Sequence, residues 1–290
     1  MKYIQLRAFH AVAREGSVSR AADALSVTQP AVTLHVQALE DAYGLALFNR
    51  GKTGVTLTRD GQDLYRLTTR MFEDEADIAA FLGGTGALQH GHIAISADGP
   101  HVALDLISEY RSRYPGIEVS MTLGNADETL DDVMNQRVDA ALLANPPANE
   151  RLVRVPVLRQ SMVAVVAASH PWTKRKDIGL SDLDGQPVIL RETGSMTRRT
   201  LERALAKRKI RIDPVMELGS REAVKEAAAH GLGIGFMQER ETAGDERIAG
   251  LAIRDLRETN LDTLVCIKRS ARRRTVKALI DVARDLSSVS

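Results

Sequence analysis

The chain has 290 residues, enough for about two domains of ordinary size, and its 44% hydrophobic and 27% charged residues exclude a disordered chain. No apolar run reaches the roughly 20 residues of a membrane span, and the N-terminus mixes charge into its apolar face where a secretory signal would be continuous, so a cytoplasmic protein is expected. The net charge of +1 announces no nucleic-acid partner by itself, and one cysteine, Cys266, allows neither an intrachain disulfide nor a multi-cysteine metal site.

Ile4, Leu6, Phe9, Val12 and Ala13 recur at helical spacing and predict a helix over Tyr3–Glu15. From Gly16 to Glu40 the sequence predicts two short helices joined by a tight turn. Ser17 or Ser19 caps the first, whose small residues Ala21 and Ala22 let another helix approach closely. Ser26-Val27-Thr28 interrupts the pattern. Thr28 then caps a second helix starting at about Gln29, with Pro30 in its first turn where the missing N–H costs nothing. Val32, Val36 and Leu39 face inward along it. The outer face carries Gln29, Ala31, Thr33, His35 and Gln37, polar but almost uncharged. A merely solvated helix usually carries Lys and Glu pairs, whereas short hydrogen-bonding and small apolar side chains suit base edges in a major groove. An ordinary antiparallel helical pair has the same spacing, so the neighbouring segments must decide. Gly44 ends the second helix, a strand starts at Leu45–Phe48, Gly51–Gly54 forms a turn and Val55–Thr58 returns. This hairpin is a wing, with Arg50 and Lys52 at its tip placed to meet phosphates.

The order helix, helix-turn-helix, wing, and above all LRAFHAVAREGSVSRAADALSVTQPAVTLHVQALEDAYGLALFNR, resembles the LysR-type transcriptional regulators. The resemblance implies a winged helix-turn-helix domain over residues 1–59, in which Thr28, Gln29, Pro30, Ala31, Thr33, His35 and Gln37 face double-stranded promoter DNA and Arg50 meets its backbone. From Asp60 to about Leu88 the pattern becomes one long helix, with Leu64, Leu67, Met71, Ile78 and Phe81 forming a seam at spacings of three, four and seven. The family implies that this segment, 60–88, is a linker helix pairing with a second subunit, giving a homodimer or homotetramer. Gly83, Gly84 and Gly86 loosen the chain into a hinge.

From His92 onward, strands alternate with helices: HIAISA, VALDLISEYRSRYP, IEVSMTL, ADETLDDVMNQ and VDAALLA, then a second set ending in LVCIKR and VKALIDVARDL. Alternation of this kind predicts mostly parallel sheets with helices on their faces. Two such lobes resemble the type II periplasmic-binding-protein fold, with an effector-binding domain over 92–290. Lobe 1 is expected over 92–160 and 268–290, lobe 2 over 161–267, and a ligand between them.

Open α/β sheets bind ligands where helix N-termini present unpaired N–H groups. Four junctions qualify. Asp98 or Gly99 leads into a helix with Pro100 and His101 in its first turn, Asn125 caps a helix near Ala126, Thr193-Gly194-Ser195 precedes Arg198 and Arg199, and Ser220 precedes Arg221. Hydroxyls, helix-start amides and guanidinium forks are what a carboxylate, phosphate or phosphonate requires, so an anionic effector is expected. Arginine pairs on amphipathic helices are also commonly surface charges. Asp98 across the cleft would suit an ammonium at the ligand's other end. IEVSMTLGNADETL, VILRETGSMTRR and ELGSREAVKEAAAHGLGIGF are similar to LysR-type regulators associated with aminoethylphosphonate metabolism, which implies such a zwitterion, 2-aminoethylphosphonate. A carboxylate or amino-acid metabolite is the alternative.

His90, His92 and His101 lack companion ligands and are expected to be hinge and strand residues, so neither a metal nor a cofactor is expected. The basic run Lys268–Arg274 reads as a solvated turn. No Ser, His and Asp set has hydrolase spacing, and a solute-binding or enzymatic protein on the same two-lobed fold is disfavoured by the winged head. The family adds RNA polymerase as a partner if the protein is an activator.

Overall fold

Local capping chemistry sets the boundaries of the first elements. In the computed structural model, which describes residues 1–51, 54–82 and 91–289, the chain divides into two units, Met1–Ala87 and Leu88–Ser290. The first unit begins with helices α1 (Tyr3–Glu15), α2 (Val18–Leu25) and α3 (Gln29–Tyr43). Ser17 caps α2, its hydroxyl accepting the Arg20 N–H at 3.4 Å, while Ser19 instead donates to Gln29 Oε1 at 3.2 Å. Pro30 sits in the first turn of α3, and Gly44 ends that helix at φ +64°, a conformation costly for any residue with a Cβ. Ala8, Ala11, Ala21 and Ala22 are buried with Val12, Val32 and Val36, and their small side chains allow the three helices to close on one core. The wing is an antiparallel pair, β1 (Phe48–Gly51) and β2 (Gly54–Leu57).

Helix α4 (Arg59–Leu82) departs from the expected single seam. Leu64 and Met71 pack with Tyr65 and Phe72 against Leu6, Phe9, Leu39 and Leu47 of the head. His10 of α1 stacks on Tyr65 at 5.1 Å, and burial lowers its pKa to about 4, so it is neutral in the folded head at pH 7. The head's own aromatic residues therefore take one stripe of α4. Leu67 and Ile78 are left outside it, 58% and 60% exposed. The expected hinge glycines and the end of the linker helix, 83–88, lie outside the described residues.

In the second unit a five-stranded sheet has the order β4 (Ile117–Leu123), β3 (Gly91–Ala97), β5 (Ala140–Ala144), β13 (Asn260–Ile267), β6 (Leu152–Gln160). Strand β5, Ala-Ala-Leu-Leu-Ala, shows why helices cover both faces. Ala140 and Leu142 join the core under α5 (Pro100–Arg113) and α9 (Arg274–Val289), whereas Ala141 and Leu143 join that under α6 (Ala126–Met134). Tyr110 of α5 is fully buried and its hydroxyl donates to the Thr275 carbonyl at 3.0 Å.

The second lobe is built on a four-stranded sheet containing β7 (Met162–Ala167), β8 (Asp177–Ile178), β11 (Gly235–Gln238) and β12 (Ile248–Ile253). A parallel pair, β9 (Val188–Arg191) and β10 (Pro214–Leu218), extends it, and α7 (Met196–Arg208) and α8 (Arg221–Ala229) cover it.

Strand β13 corrects the expected lobe boundary. Placed in lobe 2 by the sequence, it pairs antiparallel with both β5 and β6 and so belongs to lobe 1, because its two buried faces fill the gap between those strands. The chain thus leaves lobe 1 after Gln160 and re-enters it at Asn260, and these two residues are register partners.

Candidate functional site

On the head, Thr28, Gln29 and Pro30 are exposed and Ala31, Thr33, His35 and Gln37 half-buried. Thr28 makes no side-chain cap bond although it holds the cap position, and Thr33 Oγ1 donates to the Gln29 carbonyl of its own helix at 3.0 Å. The Ser19 hydroxyl holds the Gln29 amide. Leu34, 63% exposed, lies on α3 among these residues and was missed in the sequence, where a leucine reads as core. Arg50 is described only by its backbone, which pairs with Val55, and Lys52 lies outside the described residues.

In the second unit the four junctions separate. Gly99, not Asp98, caps α5, with Pro100 in its first turn. Asp98 points inward instead, 6% exposed, where its Oδ2 accepts the Ala144 N–H at 3.0 Å and its Oδ1 stands 3.8 Å from Arg221 Nη2. A Cβ on Gly99 would strike the Arg221 guanidinium, so glycine is what lets this arginine cross from lobe 2 to the carboxylate of lobe 1. Asn125 caps α6 through the Asp127 and Glu128 N–H groups, and Ser220 caps α8 through Ala223 N–H at 3.1 Å.

The third junction is corrected. Ser195 occupies the cap position of α7 but is buried without a side-chain cap bond, and Thr193 is exposed. Gly194 meets the Asn125 side chain rather than a cavity. Arg198 is engaged by Glu202 at 2.8 Å and Glu217 at 2.7 Å, because acidic residues one turn along α7 and on neighbouring β10 claim it. Arg199 ties the lobes together, 2.6 Å from Asp127 of α6, and Arg240 does the same with Asp105 of α5 at 3.3 Å.

Two adjoining cavities share Asp98, Gly99 and Arg221. The outer one, about 200 Å³, also takes in Pro100, Asn125, Arg191 and Ser220. The inner one, about 20 Å³, has the room of a single water and is walled by Gln160, Gln238, Glu241, Asn260 and Asp262, with His101 alongside. None of those five was visible in the sequence, since they come from strand ends and turns far apart in the chain. Arg221 Nε lies 3.0 Å from Glu241 Oε1. Burial raises the pKa of Asp98 against the opposing pull of Arg221. Burial also pushes Asp262 up to about 7, opposed by the Gln160 hydrogen bond, while Asp98 adds to the rise and Arg221 resists it.

Cys266 lies buried in β13, its thiol pushed up to about 11 by burial, which leaves no thiolate for redox or nucleophilic work at neutral pH. No helix among the described residues is long and apolar enough to cross a membrane.

Residues 4–62 match the family described as bacterial regulatory helix-turn-helix protein, lysR family, and residues 86–288 match the LysR substrate binding domain. The chain belongs to the LysR family. It is a DNA-binding transcriptional regulator with an effector-binding domain, not an enzyme. Among LysR-family relatives, the HTH-type transcriptional activator CmpR of Synechocystis sp. is 31% identical over 257 residues, spanning 87% of this chain and 84% of the relative. The RuBisCO operon transcriptional regulator of Allochromatium vinosum is 31% identical over 232 residues, spanning 79% and 77%. Full-length CbnR complexed with its target DNA shares the fold, with a TM-score of 0.67 at 20% identity over 99% of this chain and 100% of that one. A full-length OxyR variant from Pseudomonas aeruginosa has a TM-score of 0.68 at 22% identity, spanning 100% and 96%.

Proposed function

We propose that this LysR-family regulator binds promoter DNA through residues 1–59, assembles as a dimer or tetramer through 60–88, and is controlled by a small anionic or zwitterionic effector held by 92–290. The observation that carries the effector reading is Arg221. It stands with Arg191 beside the α8 N-terminus, where the outer cavity opens, and offers a planar fork of donors to an anionic group. 2-Aminoethylphosphonate and β-alanine both belong to this ligand class. The ligand acts by binding more tightly to one arrangement of the lobes than to the other. An activating role would add RNA polymerase as a partner, and promoter DNA as the target supports a cytoplasmic location.

A calorimetric screen of small phosphonates, carboxylates and amino acids tests the site. Its hits are expected to lose about tenfold or more in affinity in Arg221→Ala, the scale of one charge-assisted contact. Binding indifferent to that change places the effector elsewhere.

Exposed Leu67 and Ile78 support assembly through α4, and the exposure of Gln29 on the uncharged outer face of α3 supports base reading by it. In a gel shift with DNA from upstream of the chain's own coding region, Gln29→Ala is expected to lower affinity by about 1–3 kcal/mol and relax preference at one base position. The mass of the shifted complex is expected to report two or four chains. A uniform loss across sequences would mean that Gln29 only positions the helix, and a shifted complex of one chain would remove the assembly role of α4.

A further inference from the structure

The inner cavity poses a hydrogen-bonding problem of its own. Gln160 and Gln238 are 9% and 4% exposed, and their Oε1 atoms have no hydrogen-bond partner. Asn260, 1% exposed, has an unpartnered Nδ2 on the same cavity. A buried amide left unsatisfied costs about as much as a lost hydrogen bond, so two orphaned acceptors together point to a donor that belongs there. Charge points the same way. Asp98, Glu241 and Asp262 line a space walled by one guanidinium, that of Arg221, and buried carboxylates in excess of their cations are held at a cost in this environment.

We propose that the inner cavity is an ammonium subsite: the effector carries a primary amine whose charged –NH3 group enters between the lobes and donates to Asp262, Gln160 and Gln238. This rests on the reading of the cleft as the effector site. The group is the size of a water and fits a space of about 20 Å³. It brings three N–H donors to one carboxylate and two orphaned carbonyls, and it adds a second positive charge beside the acidic groups of the cavity. A water would serve the two amides yet bring no positive charge to the acidic groups beside them. The shared wall of Asp98, Gly99 and Arg221 lets the rest of the molecule extend into the outer cavity, where its anionic end meets Arg221; Arg191 lines the same cavity but its guanidinium is held by both Glu192 oxygens at 2.7 Å.

The test sorts the hits of the calorimetric screen by their nitrogen. Each hit on the full chain is retested against its des-amino counterpart, 2-aminoethylphosphonate against ethylphosphonate and β-alanine against propionate among them. Every tight hit is expected to bear an amine and to lose about tenfold or more when it is removed. Asp262→Asn and Gln160→Leu, checked for folding by their thermal transitions, are each expected to shrink that amine preference while the des-amino compounds bind as before. Tight hits that lack an amine, or that are indifferent to its removal, overturn the ammonium subsite and leave the effector cleft standing. An amine preference unchanged in both variants also overturns it, and a screen without any hit overturns both.

Discussion

Ala21→Leu is expected to cost the head its DNA binding while the second unit keeps its own thermal transition. Ala21 is 0% exposed, in a cluster with Ala8, Ala11, Val12, Val32 and Val36, so three added carbons have no space to enter without driving α2 away from α1 or α3. Overpacking of this kind costs about 1–3 kcal/mol. A small core supplies only about 3–5 kcal/mol, so the loss is a large share of the head's stability. A melting point lowered by about 4–8 °C per kcal/mol should appear in the head's transition alone, with a gel shift weakened tenfold or more. Unimpaired DNA binding would mean that the helix pair tolerates being spread and that its close approach does not set the reading geometry.

Asp262→Asn is expected to stabilise the second unit, and to do so more strongly as pH rises. In the folded protein Asp262 holds its proton up to about pH 7, against an unfolded value of 3.8. Between those values the unfolded chain releases a proton that the folded chain retains, so this residue's contribution to stability falls as pH rises from about 4 to about 7. A difference of about three pH units corresponds to something on the order of 4 kcal/mol. Asn keeps the oxygen that Gln160 bonds and cannot ionise. The melting difference between variant and parent should therefore be small near pH 4 and reach on the order of 10 °C above pH 7. Comparing the two proteins at each pH cancels groups common to both, and the neighbours that set the size of the effect are Asp98, Glu241 and Arg221. A difference that does not change with pH would show that Asp262 is ionised throughout.

The head was legible because its signals are local. Ser17, Pro30 and Gly44 act within one helical turn, and Val32, Val36 and Leu39 repeat at the helix period, so spacing alone located α2 and α3. Asn125 and Ser220 were legible as caps for the same reason. Whether Asp98 or Gly99 leads into α5 stayed open in the sequence, because a carboxylate before Gly-Pro also looks like a cap, whereas the partner of Asp98 is the Ala144 N–H, 46 residues away. Arg198 looked available because Glu217, its partner from β10, is distant in sequence. Helix α4 carries two apolar stripes that one seam could not separate until Tyr65 and Phe72 were seen against α1. The walls of the inner cavity had no periodic signature at all, since Gln160, Gln238 and Asn260 lie at strand ends whose closeness exists only once both lobes are assembled.

The pairing of Gln160 with Asn260 has a mechanical consequence. These residues stand where the chain leaves lobe 1 and where it returns, side by side on neighbouring strands, and both wall the inner cavity. A group lodged there would bear on the fulcrum and not on the rim. Rotation about a fulcrum turns a displacement of a fraction of an ångström into a larger sweep at the far ends of the lobes, the leverage by which a small molecule moves a much larger body. The Arg199–Asp127 and Arg240–Asp105 pairs bridge the two lobes outside the cavity, where any such rotation would have to part them. Dissolved salt screens these pairs, three of whose four side chains are more than half exposed, far more than it screens the buried groups at the fulcrum.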